Sequence, residues 1–175
     1  SAGVNSSVNA CNTDAAFNLF ASLSGSPDAG GSWTQLSGPA ITITGNTVNL
    51  NGAAAGTYTF EYKVAGIAPC PDATAVVTVI VSELPNAGAN NTVNGCNNDS
   101  AFNLFSSLGG TPNPAGTWTQ LTGPARTITG NTVDLNGAVA GAYTFEYKVL
   151  GVAPCPDATA VVTVNVNAAS NAGTN

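Results

Sequence analysis

Four cysteines, four aspartates close to them in sequence and two lysines are the residues of this chain with chemistry to offer. Cys11 and Cys70 recur as Cys96 and Cys155, each 85 residues further on. No CxxC spacing occurs, and each cysteine is flanked by turn-forming residues, so disulfides formed in an oxidising compartment are expected for Cys11, Cys70, Cys96 and Cys155. Four cysteines permit three pairings. Pairing within each copy, Cys11 with Cys70 and Cys96 with Cys155, works for every copy alone, and on the chain-entropy account such a closure stabilises by roughly 4 kcal/mol. Asp14 and Asp72, with Asp99 and Asp157 in the second copy, each follow a cysteine closely. An in-copy bridge would gather the two carboxylates near Asn12 and backbone carbonyls as an oxygen cage for calcium, the one ion these residues suggest. The plainer account is that these aspartates close turns over their own backbone, because no DxDxDG run fixes ligand geometry.

Catalysis has little to stand on. The chain contains no His, so a Ser or Cys nucleophile lacks its usual base, and Glu61, which could be offered toward the two carboxylates of glycoside hydrolysis, is more plainly half of a solvated pair. Lys63 and Lys148 stand two residues from Glu61 and Glu146, which reads as a solvated ion pair, and the exposed face they share denies Lys63 the burial that an isopeptide bond demands. The chain is read as a non-enzyme. Charged residues make up 7% of 175, with 3 Lys+Arg against 9 Asp+Glu and a net charge of -6; a typical domain is about 25% charged. This balance excludes a nucleic-acid partner and attraction to anionic lipid. The longest apolar stretch, Ala75 to Val81, is interrupted by Thr78 and falls far short of the roughly 20 residues that span a bilayer, so direct membrane insertion is not expected.

What must position these residues is a repeated unit. Overlaying the chain on itself at the 85-residue offset leaves roughly 70% of positions identical, with Trp33 matching Trp118 as the cysteines match each other. Domains are expected at 1–85 and 86–170, and 171–175 begins a third copy. A chain without an initiator Met or a basic-apolar leader reads as a segment of something longer. At the first boundary Leu84-Pro85 holds the backbone extended, a restriction that Ala169-Ser170 lacks.

Inside each copy the periodicity is two. Tyr58, Phe60, Tyr62 and Val64 alternate with Thr59, Glu61 and Lys63, as in a strand with one buried face. In the last strand Ala75, Val77, Val79 and Val81 form the core side, while Ile80 on the other side is Asn165 in the second copy. Further strands are expected over Val4 to Asn9, Phe17 to Leu23, Ser32 to Leu36, Ile41 to Thr44 and Thr47 to Leu50, with no helical stretch. Trp33, Tyr58, Phe60, Trp118, Tyr143 and Phe145 are expected in the core and not on a sugar-stacking surface, since a small domain with few aromatics needs them inside. The fold class is all-β, two tandem antiparallel β-sandwich domains. Asn5, Asn90 and Asn98 head N-x-[ST] sequons.

The run Ala54-Ala55-Gly56-Thr57-Tyr58-Thr59-Phe60 resembles the immunoglobulin strand-F signature, with Gly two residues before a corner Tyr that precedes the core position by two. Phe60 stands where the core cysteine would be, and Trp33 resembles the strand-C tryptophan that packs against it, so the resemblance implies two tandem Ig-like antiparallel β-sandwich domains, not of the antibody type. The whole unit, with Gly-Thr-Trp-Thr-Gln, Gly-Ala-Tyr-Thr-Phe-Glu-Tyr and Ala-Pro-Cys-Pro-Asp-Ala-Thr-Ala-Val-Val-Thr-Val, is similar to the Ig-like repeats of giant bacterial surface adhesins, particularly the SprB-type gliding-motility adhesins exported by the type IX system. Asp99-Ser100-Ala101 resembles an O-glycosylation motif of the same bacterial group. The resemblance implies an adhesive or structural segment of a secreted filament on a bacterial cell surface, with weak, multivalent contact to an external surface or polysaccharide. The alternative is a carbohydrate-binding or spacer module of a surface-attached enzyme. The chain itself is expected to be monomeric. In an Ig-type sandwich the first strand would carry Cys11 to the far end of its domain and leave Cys70 at the near end. This topology puts Cys11 beside Cys155, so in-copy and cross-junction bridges both remain open.

Overall fold

Alternating burial along two long strands organises each copy. In the computed structural model, which describes residues 1–170, the first copy runs β1 (Ser6–Cys11), β2 (Phe17–Asn18), β3 (Ser32–Ser37), β4 (Ile43–Thr44), β5 (Thr47–Val48), β6 (Gly56–Val64) and β7 (Ala73–Ser82). The strands form two sheets, β1-β7-β6-β3 and β2-β5-β4. Opposite one another across β6 and β7 stand Tyr58 and Val79, Phe60 and Val77, and Tyr62 and Ala75. All six are buried, and Leu19, Val48 and Leu50 meet them from the other side to close the core. Ile80, pointing the other way, is exposed.

The second copy repeats this order as β8 (Asn91–Cys96), β9 (Phe102–Asn103), β10 (Thr117–Thr122), β11 (Ile128–Thr129), β12 (Thr132–Val133), β13 (Gly141–Val149) and β14 (Ala158–Asn167), in sheets β10-β13-β14-β8 and β11-β12-β9. Its core is built on Tyr143, Phe145, Tyr147, Val162 and Val164 with Leu104, Val133 and Leu135. The described chain divides into two compact units: Ser1–Leu84 with Gly151–Pro156, and Pro85–Leu150 with the chain from Asp157 onward. The expected start of a third copy at 171–175 lies outside the described residues.

Three local features depart from the sequence reading. The strand expected over Phe17 to Leu23 stops at Asn18, and a 3-10 turn follows at Phe20–Ser22. Asn18 causes this: its side-chain carbonyl accepts from the Ala21 amide at 3.0 Å and its backbone carbonyl accepts from the Ser22 hydroxyl at 3.0 Å, giving the backbone an alternative to the ladder. A bulge interrupts β3 between Gln35 and Ser37. The Gln35 amide donates to the Pro39 carbonyl at 2.8 Å and its oxygen accepts from the Ile41 amide at 3.0 Å, so this side chain shapes the loop into β4, which begins at Ile43 instead of Ile41. The sandwich is also not wholly antiparallel. β1 pairs with β7 in parallel, Ser6 opposite Val77 and Cys11 opposite Ser82, and β8 pairs with β14 the same way.

Candidate functional site

That parallel pairing decides the cysteine chemistry. Cys11 ends β1 beside Ser82, at the close of β7, whereas Cys70 lies three residues before β7 begins at Ala73. A ten-residue strand separates them, about 30 Å at 3.3 Å per residue, far beyond the roughly 7 Å Cα limit of a bridge. The in-copy pairing of Cys11 with Cys70 and of Cys96 with Cys155 is therefore replaced. Cys11 is bonded to Cys155, with Cα atoms 5.0 Å apart across a sequence separation of 144. The bond lies within the first unit, because the loop Gly151–Pro156 of the second copy belongs to it. Both cysteines are buried, and the Cys155 sulfur lies 3.4 Å from the Ser82 carbonyl oxygen. Cys70, exposed, and Cys96, half-buried, are thiols.

The turn after Cys11 is tied down on every side. The Asn12 amide donates to the Ser82 carbonyl at 2.9 Å, the Asp14 amide to the Cys11 carbonyl at 3.1 Å, and Asp14 returns a carboxylate oxygen to the Cys11 amide at 3.2 Å. Asp14 thus closes its own turn. In the second copy Asp99 accepts from the Ala101 amide at 2.9 Å. Asp14 and Asp72 sit at opposite ends of β7, so the oxygen cage that an in-copy bridge would have gathered is not assembled. Among the described residues no group of three or more Cys, Asp or Glu side chains converges as metal ligands would.

Asp72 instead pairs with Lys63 at 2.6 Å and accepts from the Gly66 amide at 2.8 Å, and Asp157 pairs with Lys148 at 2.7 Å. The lysines therefore turn across the sheet to these aspartates and not along their own strands to Glu61 and Glu146. The hydrogen bond from Lys63, with help from the Gly66 amide, holds the Asp72 carboxyl below its ordinary value, and the same bond raises the Lys63 ammonium above its own. Asp157 likewise raises Lys148. These pairs are solvated, so they contribute little to stability.

Tyr58, Phe60, Tyr143 and Phe145 are fully buried. Tyr58 donates its hydroxyl to the Ala54 carbonyl at 2.8 Å, and Tyr143 to that of Val139 at 2.9 Å, the corner bond implied by the strand-F likeness. Trp33 and Trp118 pack against the cores as expected, but each stands one place along from the partner that the strand-C likeness implies. Register sets Trp33 opposite Tyr62 and puts Gln35 opposite Phe60. Trp33 is half-buried, its ring 4.8 Å from that of Tyr62, and its indole N–H donates to Asn46 at 3.1 Å; Trp118 repeats this with Tyr147 and Asn131. The Tyr62 hydroxyl donates to the Asp28 carbonyl and accepts from the Gly31 amide, both at 2.8 Å. Composition gave no sign of the Gln35 tie; its only trace in sequence is that Gln35-Leu36-Ser37-Gly38-Pro39 returns as Gln120-Leu121-Thr122-Gly123-Pro124. Of the sequon residues, Asn5 and Asn90 spend their side-chain oxygens on the amides of Val76 and Val161, at 2.8 Å each.

Two grooves among the described residues are lined by no acid, base or cation. One of about 450 Å³ is lined by Pro114, Gly116, Thr117, Trp118, Ile128 and Asn131, among others, and one of about 370 Å³ by Asn90, Asn91, Thr92, Val161 and Thr163. The best-defined chemical feature is the Cys11–Cys155 bridge.

Strand order makes each unit an Ig-like β-sandwich: first strand parallel to last, both in the sheet with strands six and three, facing a three-stranded sheet. No family model matches the chain, and no curated protein matches it. Among solved structures the chain is similar to human mucin-like protocadherin EC1-2, at 15% identity and TM-score 0.37, over 94% of this chain and 97% of that one. It is also similar to a three-Ig fragment of titin, at 14% identity and TM-score 0.44, over 94% of this chain and 64% of that one. The insect immune protein hemolin gives 14% identity and TM-score 0.46, over 95% of this chain and 46% of that one, so this chain spans about half of hemolin's length. Assignment of the fold rests on the strand order itself.

Proposed function

We propose that this chain is a structural and adhesive repeat segment of a large secreted filament on a bacterial surface, serving gliding motility and exported by the type IX route. The observation that carries the reading is the bridge from the first cysteine of one copy to the second cysteine of the next. It ties successive copies covalently, and it forms and persists in an oxidising compartment, which supports an extracellular setting. The course of the chain through the first unit supports it. The chain enters near Asp28 and Tyr62 and leaves at Ser82, beside Cys11, at the other end of β7, as a unit strung in a row must. No helix among the described residues is long and apolar enough to cross a membrane. Binding in such a filament is spread over many weak contacts to an external surface or polysaccharide, and multivalency raises avidity by about 10² to 10⁴ without a strong single site.

The test compares the chain free in solution with the chain displayed densely on beads, against polysaccharide-coated surfaces. Weak soluble binding with firm bead retention is expected. Tight one-to-one binding of a soluble glycan would instead favour a carbohydrate-binding module of a surface enzyme, the reading suggested by the groove beside Trp118.

A further inference from the structure

Cys96 and Cys70 occupy, in their own copies, the positions that Cys11 and Cys155 hold in theirs, and the backbone around each reproduces that of its bonded counterpart. Cys96 ends β8 opposite Asn167, as Cys11 ends β1 opposite Ser82. The Asn97 amide donates to the Asn167 carbonyl at 3.0 Å and the Asp99 amide to the Cys96 carbonyl at 3.1 Å, against 2.9 and 3.1 Å for the same bonds around Cys11. Asn97 accepts from the Ala169 amide as Asn12 does from that of Leu84. On the other side, the Cys70 amide donates to the Ile67 carbonyl at 2.9 Å, and the Cys155 amide to that of Val152 at 2.9 Å. Gly66 and Gly151 lie so close to the carbonyls of Cys70 and Cys155 that a side chain at either would collide with them. Both half-sites are thus built before a partner arrives. Two things differ: the carboxylate of Asp14 accepts from the Cys11 amide whereas that of Asp99 accepts from the Ala101 amide, and the bonded pair is buried while Cys70 is exposed and Cys96 half-buried.

We infer that Cys96 and Cys70 are the two halves of the same bridge, to be completed by a following and a preceding copy of this repeat. A row of copies then carries a second covalent path alongside its backbone. The inference rests on the tandem-filament reading and names the partner of these thiols as a further copy of the chain. The linkage is heterologous, first cysteine to second cysteine, so each copy has one half-site for a copy before it and one for a copy after it. Each bridge forms by thiol–disulfide exchange: one thiolate attacks an oxidised dithiol carrier, the second displaces the carrier from the mixed disulfide, and the carrier leaves reduced with both electrons and both protons.

The consequence is mechanical. A bridge entering at Cys155 is followed by the next departing first cysteine about 26 residues later, so each pair of copies, about 170 residues, exposes only about 26 residues to stretching, roughly 90 Å at 3.5 Å per residue. Such a row stays short under a pull that would otherwise draw out every sandwich.

The test extends the chain past residue 170 with one more copy of residues 86–170, oxidises it in a glutathione buffer, alkylates the remaining thiols and maps the bridges by mass spectrometry. The expected map keeps Cys11–Cys155 and joins Cys96 to the third copy's counterpart of Cys155. Only Cys70 and the third copy's first cysteine are then alkylated. An alkylated Cys96, or Cys96 joined to any other cysteine, overturns the inference. A Cys96→Ser version checks folding: it should keep the same β-sheet circular dichroism while its last cysteine becomes alkylatable. If Cys96 stays a thiol in an extended chain that still holds to surfaces from beads, the inference fails and the filament reading stands; if bead retention fails while the bridge forms, the reverse holds.

Discussion

Replacing Tyr58 by Phe removes one hydroxyl from the corner of the first unit and leaves the ring that fills the core. The bond lost is the 2.8 Å donation to the Ala54 carbonyl. Ala54 is exposed, so its carbonyl regains water, and the loss is the net value of a hydrogen bond, about 1 kcal/mol, not the larger penalty of a stranded group. For a domain of this size that corresponds to a fall in Tm of about 4–8 °C. Tyr62→Phe is the internal comparison. Its hydroxyl bridges the Asp28 carbonyl and the half-buried Gly31 amide, so one change removes two bonds and strands a donor, at about 2 kcal/mol. Urea denaturation of the reduced chain, followed by tryptophan fluorescence and circular dichroism, gives both values free of the disulfide. A Tyr58→Phe loss equal to or larger than that of Tyr62→Phe, or losses under about 0.5 kcal/mol for both, would refute the reasoning.

Gly38→Ala should destabilise the first unit more than Gly45→Ala. Both positions have positive φ, +94° and +58°, but a Cβ at Gly38 would lie 2.8 Å from Tyr58 Cδ1, whereas Gly45 faces open space; thermal melts of the two variants rank them. The Asp72 carboxyl should titrate below its ordinary value of 3.8 by NMR, and Asp72→Asn should bring Lys63 back toward 10.5. The small contribution of Asp72 is present above its unfolded value and fades as pH falls through the lowered one, while that of Lys63 is present below 10.5 and fades as pH rises through the raised one. Cleavage between Val81 and Asn86 should give halves that stay joined until reductant is added; halves that part without it exclude the Cys11–Cys155 bond.

The parts of the fold legible in the sequence are those that a local rule writes. Alternation along Tyr58 to Val64 and Ala75 to Val81 marks β6, β7 and their buried faces, and Gly56 with Tyr58 marks the corner. What escaped depends on which residue competes with the ladder or which strand lies beside which. Asn18 ends β2 early by bonding its own backbone, and Gln35 reaches across a bulge to set the next loop. Trp33 looked like a partner for Phe60, but register gave it Tyr62. The disulfide turned on strand direction: once β1 runs parallel to β7, the two cysteines of one copy are a strand apart, and neither their spacing in sequence nor the aspartates beside them carries that information.

Pulling the chain by its two ends in a single-molecule force measurement, with and without reductant, tests the central claim most directly. With Cys11 bonded to Cys155, only residues 1–11 and 155–175 can be drawn out, about 32 residues or roughly 110 Å of contour; reduction releases the rest, to roughly 610 Å for 175 residues at 3.5 Å each. The account predicts the short extension in oxidised chains, where only the segments carrying β1 and β14 can be drawn out, and the full lengthening of two sandwiches only after reduction. Full extension of unreduced chains would contradict it.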